Sequence, residues 1–473
     1  MAVSAPRFGI LASVRLGLFQ ACLGCLAVIF AGLLNRIMLS ELAFPGLLVG
    51  GALAFEQFVA PSRVLFGQLS DSRPLAGRRR LPYVLLGTVL FCSIAVLSVP
   101  LIFQVGALLA APIQPQLGLA MAGLCGLFAL YGLAISMAST PYLALVIDRT
   151  GEEERPRVVG IIWCMLTVGI VVGAIAIRQS LRSLDGVSDP VLLQSTLQTF
   201  MVRVALVVLA LTLVATWGME PPMLPAESPG RDALSLQDGR RKVREDAIGL
   251  RQSWQLIRSS SQVAIFFGFL ILFTLGLFLQ DPVLESYGAQ VFGLPIGATA
   301  MLNAYWGMGT LVGLLLAGLL IVPRLGKLAS ARLGCQLIAA SLLALLLCGL
   351  TRNVILLQVV LVLFGLAAGI GTNSALCLML DLTLPEVAGT FVGVWGLAQA
   401  LSRALGKLLG GALYDLGRLL PLPGGAYAPF ALVFGAELAI ALSALLILRN
   451  LNLRRFREDT GRSLSRVIAM ELG

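Results

Sequence analysis

The chain has 473 residues, 58% of them hydrophobic and only 12% charged, with a mean hydropathy of +0.93 and a formal net charge of +10. A soluble arrangement of that composition would expose a vast apolar surface, so a bilayer must be the solvent. The chain has no histidine at all, which excludes imidazole catalysis, imidazole proton relays and histidine-held metals.

A spanning helix needs roughly 20 largely apolar residues. Such stretches are predicted near 14–34, 46–68, 83–104, 117–141, 157–178, 200–219, 262–280, 295–321, 330–350, 354–380, 389–415 and 428–448. The expected fold is all-α, with twelve transmembrane helices in two six-helix halves, 1–219 and 262–450. Between them, 220–261 has the Pro, Gly, Ser and charge content of a solvated linker, with a short amphipathic helix expected around Val243–Ile257. The tail 451–473 is basic and suits an anionic membrane surface or a partner.

Lys and Arg mark the cytoplasmic loops of membrane proteins. Of the 34 here, 25 fall in the N-terminus, the even-numbered loops, the linker and the tail. Both termini are therefore expected in the cytoplasm, and topology accounts for the net charge. No basic patch is interleaved with aromatics, so nucleic-acid binding is not expected. The eight cysteines all lie inside predicted helices, where they behave as small apolar residues. Cys22-Leu-Gly-Cys25 has redox spacing, but its apolar setting speaks against a metal site. No cleaved signal is read before the first span.

An internal repeat follows from sliding the chain against itself. LVIDRTGEEERPRVVGI at 145–161 matches LMLDLTLPEVAGTFVGV at 378–394, pairing Asp148 with Asp381. These are the loops after the fourth and tenth helices, as a parallel duplication produces. The loop after the second helix reads Gly67-Gln-Leu-Ser-Asp71-Ser-Arg73-Pro-Leu-Ala-Gly77-Arg78-Arg79-Arg80. It resembles the signature that major facilitators carry between their second and third helices. The resemblance implies that Asp71 sits near the N-terminus of the eleventh helix and that Gly67, Arg78 and Arg79, with Asp148, Arg157 and Asp381, belong to a gate between the halves.

Ionisable groups inside a membrane are costly unless paired or hydrated, so they mark places of function. The second helix carries Glu56, Gln57 and Arg63, with Glu56 and Arg63 seven apart on one face. The eleventh carries Gln399, Arg403 and Lys407 at intervals of four, one turn after Trp395. Two cations so placed repel unless an anion lies opposite; Glu437 or a ligand can supply it. Two polar clusters end the first helix of each half: Asn35-Arg36 to Glu41, and Gln280-Asp281 to Glu285-Ser-Tyr287-Gly288. They suit either plain interface loops or a site for an amphipathic molecule.

These clusters, with Gln57-Phe-Val-Ala-Pro61-Ser-Arg63, Asp71 and Gly77-Arg-Arg-Arg-Leu-Pro82-Tyr83, Glu154-Arg155-Pro156-Arg157-Val158-Val159, Gln290-Val291-Phe292-Gly293 and Asp381-Leu-Thr383 to Trp395-Gly396, together resemble the PucC/LhaA family, the bacteriochlorophyll delivery relatives of the major facilitators. The resemblance runs from the first helix to the eleventh. It implies assembly of photosynthetic pigment–protein complexes, with chlorophyll or bacteriochlorophyll bound or handed to light-harvesting or photosystem subunits. Pigment-synthesis enzymes and membrane lipid are further implied partners, in a thylakoid, intracytoplasmic or inner cell membrane.

Without histidine, pigment magnesium would need oxygen ligands. Asn35, Glu41, Gln57, Gln280, Asp281 and Glu285 are chemically suitable, and Tyr287, Phe292, Tyr305, Trp306 and Trp395 are candidates to stack on a macrocycle. The competing class is a secondary transporter of a small solute. Proton coupling would call for deep carboxylates, and Asp148, Asp281 and Asp381 are expected near the membrane edges, leaving Glu56 and Glu437. No nucleophile–base pair, nucleotide loop or metal constellation is present, so an enzyme is not expected.

Overall fold

A chain in hydrocarbon must satisfy its backbone polar groups internally, as helices or a closed barrel. The computed structural model describes residues 9–75, 77–111, 116–150, 154–182, 189–220, 261–381, 388–421, 423–452 and 455, and among them it has helices and no strand. The fourteen helices are α1 (Ile10–Glu41), α2 (Gly46–Phe58), α3 (Ser62–Ser72), α4 (Leu81–Ala110), α5 (Leu117–Arg149), α6 (Arg155–Ser180), α7 (Pro190–Thr216), α8 (Ser261–Phe278), α9 (Leu284–Phe292), α10 (Ile296–Leu325), α11 (Lys327–Thr351), α12 (Val354–Asp381), α13 (Ala388–Leu419) and α14 (Ala428–Arg449). The expected helix at Val243–Ile257, and nearly all of the tail, lie outside the described residues.

Among the described residues, ten helices are long and apolar enough to cross a membrane, fewer than the twelve expected. Every expected span coincides with helix, but two fail that measure for different physical reasons. The stretch 46–68 is broken between Phe58 and Ser62, where Pro61 lacks an N–H and three tight turns replace the helical ladder. The helix α13 is continuous but carries Arg403, Lys407, Asp415 and Arg418. The break also removes the single face that Glu56 and Arg63 were expected to share.

In the first part of the chain, α1 packs on α6 and α7, α4 on α5 and α7, and α2 and α3 on α5. In the second, α8 packs on α13 and α14, α10 on α12, and α11 on α12 and α14. The two parts meet along α2 with α13 and α6 with α10. Glycines set these approaches, because lipid gives no hydrophobic drive between helices and close backbone packing must replace it. A methyl group on Gly50 or Gly411 would strike the backbone of Lys407 or Gly46, and one on Gly169 the backbone of Ala21. The outer faces show large apolar side chains such as Leu119, Val172, Leu206, Leu319 and Ile355, as a lipid-facing surface requires.

Candidate functional site

The first polar cluster, expected after the first helix, is instead built into it, while the second lies partly in a turn, at Gln280 and Asp281 as expected, and partly in the short helix that follows. In α1 the backbone widens into π turns over Ile29–Leu34 and Ile37–Glu41, carrying Asn35, Arg36 and Glu41 within the helix. Such bulges and breaks are where membrane proteins place binding and hinge residues. The equivalent helix of the second half stops at Phe278, turns through Gln280–Val283, and resumes as α9 with Glu285 and Tyr287.

The clusters meet across the seam. Asn35 Nδ2 donates to the backbone oxygen of Asp281 (2.9 Å), and Arg36 Nη1 donates to Thr299 Oγ1 of α10 (2.6 Å) while Nη2 pairs with Glu41 (3.4 Å). The Glu285 carboxylate accepts from Asn303 Nδ2 (2.5 Å) and lies against Gly32 of α1, where a methyl group would collide with its oxygen. Further along, Gln290 donates to Ser40 (3.2 Å) and accepts from Tyr414 (3.2 Å). Asp415 of α13 then caps α2, accepting from Gly46 N–H (2.6 Å) and Leu47 N–H (2.7 Å). The residue before α2 is Pro45, which offers no side-chain cap of its own, so this foreign carboxylate satisfies the orphan donors and faces the positive end of the helix dipole. These contacts close the end of the molecule opposite the Arg78–Arg80 loop, here called the basic end.

Below this seal lies a charged cluster. Lys407 is 6% exposed and its ammonium lies 3.9 Å from Asp281. Arg403 lies over the Phe278 ring at 4.6 Å. Glu437 is fully buried beside the Leu279–Gln280 backbone, close enough to Asp281 for the two carboxylates to repel. Asp281, half-buried just beyond the end of α8, is therefore the partner of Lys407 and supplies the anion that the α13 stripe requires. Glu56 and Gln57 are half-buried and Arg63 is exposed, with Glu56 and Arg63 within electrostatic reach of Arg403. Gln399 is half-buried on the same stripe.

At the basic end, Arg80 is the pivot of the expected gate loop. Its guanidinium pairs with Asp71 (2.6 Å) and Asp148 (3.1 Å) and donates to Ser70 Oγ (2.8 Å). Glu220 caps α4 by accepting from the backbone of Arg79, Arg80 and Leu81, and Arg149 donates to the Met219 carbonyl. Asp71 is thus held within the first half, on α3, which packs against α5. Gly67 faces Thr140. Arg78 and Arg79 make no side-chain ion pair among the described residues; the side chains of Arg157 and Asp381 lie outside them.

The expected pigment contacts separate on inspection. Tyr287 is core: fully buried, its hydroxyl donates to Leu345 O (3.0 Å) and its ring packs on Phe292, Phe430 and Phe434. Trp306 meets Phe278 edge-on at 6.3 Å, and Trp306 and Trp395 pack with the core of the second half, while Tyr305 packs on the main core. Asn35 Oδ1, Gln280 Oε1 and Glu285 Oε2 accept no hydrogen bond among the described residues, and are hard donors of the type magnesium takes. A flat tetrapyrrole nevertheless does not fit on them, because Asn35, Gln280 and Glu285 are 0%, 2% and 1% exposed. Glu41 is reachable but paired with Arg36.

The arrangement, two helical sets meeting along α2–α13 and α6–α10 around a charged seam, matches solved transporters. A bacterial homologue of the lysosomal transporter Spinster, inward-facing and occupied, superposes with a TM-score of 0.66 at 14% identity, covering 96% of this chain and 99% of that one. The nucleoside transporter NupG gives 0.60 at 13%, covering 92% and 98%, and a D-xylose–proton symporter 0.63 at 15%, covering 93% and 97%. The fold is that of a major-facilitator-type, multi-pass integral membrane protein.

Within that class the sequence comparisons are narrower. The family model described as PUCC protein matches residues 33–456, and the chain belongs to this PucC family. The chain is 32% identical to a Rhodobacter capsulatus protein called "Bacteriochlorophyll synthase 44.5 kDa chain", over 92% of this chain and 93% of that one. It is 28% identical to Protein PucC of Rhodobacter capsulatus, over 91% and 90%. It is also 30% identical to that organism's "Uncharacterized protein in puhA-bchM intergenic region", over 85% and 80%.

Proposed function

We propose that the chain is an assembly factor for photosynthetic pigment–protein complexes, working with chlorophyll or bacteriochlorophyll on behalf of light-harvesting or photosystem subunits, and that it is not an enzyme. The observation that carries this reading is the family match over 33–456, together with a relative of near-full-length coverage named as a bacteriochlorophyll synthase chain. The basic end is assigned to the cytoplasm from the distribution of Lys and Arg. The seam residues Asn35, Arg36, Gln280, Glu285, Gln290 and Asp415 are assigned to closing the opposite end and its opening, rather than to holding pigment. The membrane is assigned as photosynthetic or inner cell membrane, on the same family argument.

The test is purification in gentle detergent from the native phototroph, with an absorbance spectrum, pigment chromatography and protein identification on one sample, alongside a deletion strain. Co-purifying antenna, reaction-centre or pigment-synthesis proteins, and loss of assembled complexes in the deletion, support the proposal. A preparation without photosynthetic partners, from a strain whose deletion leaves those complexes intact, refutes it. The second reading, a secondary transporter of a small solute, is favoured by one observation: Lys407 and Glu437 are buried and Asp281 half-buried together in the second half, Lys407 on the helix that packs against α2, and buried ionisable groups line solute and proton paths in transporters. Solute uptake by vesicles containing the protein, abolished by Lys407→Met, would decide for it.

A further inference from the structure

Among the lipid-facing surfaces, one is not a plain apolar wall. The helices α6 and α7 each pack on α1 but make little contact with one another, leaving a groove whose floor is α1. Its volume is about 390 Å³, and apolar side chains line it, Leu18 and Cys25 on the floor, Met165 and Val172 on one wall, Val207 and Leu211 on the other. Val172 and Val207 are more than half exposed, so the groove opens sideways to the bilayer.

At the end away from the basic loops the groove runs into a polar notch of about 250 Å³ that shares Ser180, Phe200 and Arg203 with it and adds Ser195, Thr196 and Thr199. Ser195 and Thr199 donate their hydroxyl protons to the carbonyls of Leu192 and Ser195. The strong donor left to the notch is Arg203. The sequence places Arg203 at the outer edge of a span beginning near residue 200, but α7 begins at Pro190, which sets Arg203 about three and a half turns inside the helix. Its side chain is exposed and makes no ion pair or hydrogen bond among the described residues. A cation on a lipid-facing surface is costly unless something anionic meets it.

We propose that this groove binds an anionic phospholipid of the adjacent leaflet, its phosphate on the Arg203 guanidinium and one acyl chain lying along α1 between α6 and α7. Charge complementarity selects the headgroup, since guanidinium pairs with phosphate through two parallel N–H bonds. The unbroken apolar run below the notch selects the chain. A neutral lipid leaves Arg203 unmet, and a free phosphate leaves the groove unfilled.

The test uses the full chain purified in neutral detergent, placed in phosphatidylcholine nanodiscs and titrated with phosphatidylglycerol, with retained lipid read by native mass spectrometry. Wild type is expected to retain phosphatidylglycerol selectively, and Arg203→Gln to bind it about tenfold more weakly at unchanged melting temperature in phosphatidylcholine. Arg352→Gln, an exposed arginine on another helix end, is expected to bind as wild type does. Val172→Trp, filling the groove, is expected to lose retained phospholipid; if it does not fold, Arg203→Gln decides. Equal retention by wild type and Arg203→Gln overturns the proposal. So does effective competition by glycerol phosphate, which has no chain, or an occupant identified as a tetrapyrrole or a protein segment that phosphatidylglycerol does not displace.

Discussion

Removing the Asp415 carboxylate should open the sealed end of the molecule. The carboxylate accepts two backbone N–H bonds, at 2.6 and 2.7 Å, from the first turn of α2, which belongs to the other half of the chain and has no cap of its own. Loss of an N-cap costs about 0.5–2 kcal/mol, and the charge at the helix N-terminus contributes a further 0.3–1 kcal/mol or so. Asp415 is half-buried, so solvent screening discounts the charge part, and about 2 kcal/mol is a fair sum for Asp415→Ala. That energy is lost only from the closed arrangement, so the open population should rise about 30-fold. Asp415→Asn keeps one acceptor and loses the charge; about 1 kcal/mol and a roughly fivefold rise are expected. Ser40, half-buried and bonded to Gln290 of α9 in the same seal, is the reporter. With Ser40→Cys as the sole thiol, the rate of modification by a membrane-impermeant maleimide measures opening. A rate in Asp415→Ala no faster than in the parent, at unchanged melting temperature, would refute the latch.

Three further outcomes are expected. Gly32→Ala pushes a methyl group into the Glu285 carboxylate and Asn303 and should destabilise by about 1–3 kcal/mol, seen as a lower melting temperature that Gly32→Ala with Glu285→Ala partly restores; additive losses would show that the two do not touch. Arg80→Ala frees Asp71 and Asp148, both more than half exposed, and should cost only about 1 kcal/mol in total because both carboxylates left behind are open to solvent; a collapse of expression would mean that the network is essential to the fold. Tyr287→Phe removes a buried hydrogen bond to Leu345 and should cost about 1 kcal/mol of stability with membrane pigment content unchanged; lost pigment at an unchanged melting temperature would return Tyr287 to the pigment contacts.

The fold was legible because bilayer physics writes it plainly: each predicted span of some twenty apolar residues coincides with helix. The exceptions are informative. Pro61 sits in a run apolar enough to hide the break beneath it, and the first polar cluster reads as a loop because polarity inside a helix is normally a boundary signal. A widened turn keeps the backbone bonded while it admits Asn35 and Arg36, and nothing in composition marks it. Asp415 was missed although the signal existed. The stripe Gln399, Arg403, Lys407 continues at the same interval through Gly411 to Asp415, and following it two more turns would have reached the latch. Glu220, at the start of the supposed linker, has no such signal, because its role is set by the backbone of Arg79–Leu81 from a distant loop. Arg80 against Arg78 and Arg79 could not be chosen from spacing alone.

Transporter fold and assembly family are reconciled by what the interrupted helices do with their polar atoms. In transporters, broken helices free backbone groups and buried side chains at mid-membrane for substrate and ions. Here the same interruption exists in both halves, at Ile29–Glu41 and at Gln280–Val283, but its groups are largely turned on one another: Asn35 on the Asp281 carbonyl, Arg36 on Thr299, Glu285 on Asn303 and the Gly32 backbone. What crosses between the halves is this set of contacts together with the Asp415 cap on α2; the deeper charges, Lys407 against Asp281 with Glu437 behind, all belong to the second half, so motion of the halves need not separate them. Opening instead costs the crossing hydrogen bonds, about 0.5–1.5 kcal/mol for each neutral one, and is coupled to whatever replaces them. Such a seam suits a response to a partner or ligand that takes over the crossing bonds, which the proposed assembly role would call for as much as transport would.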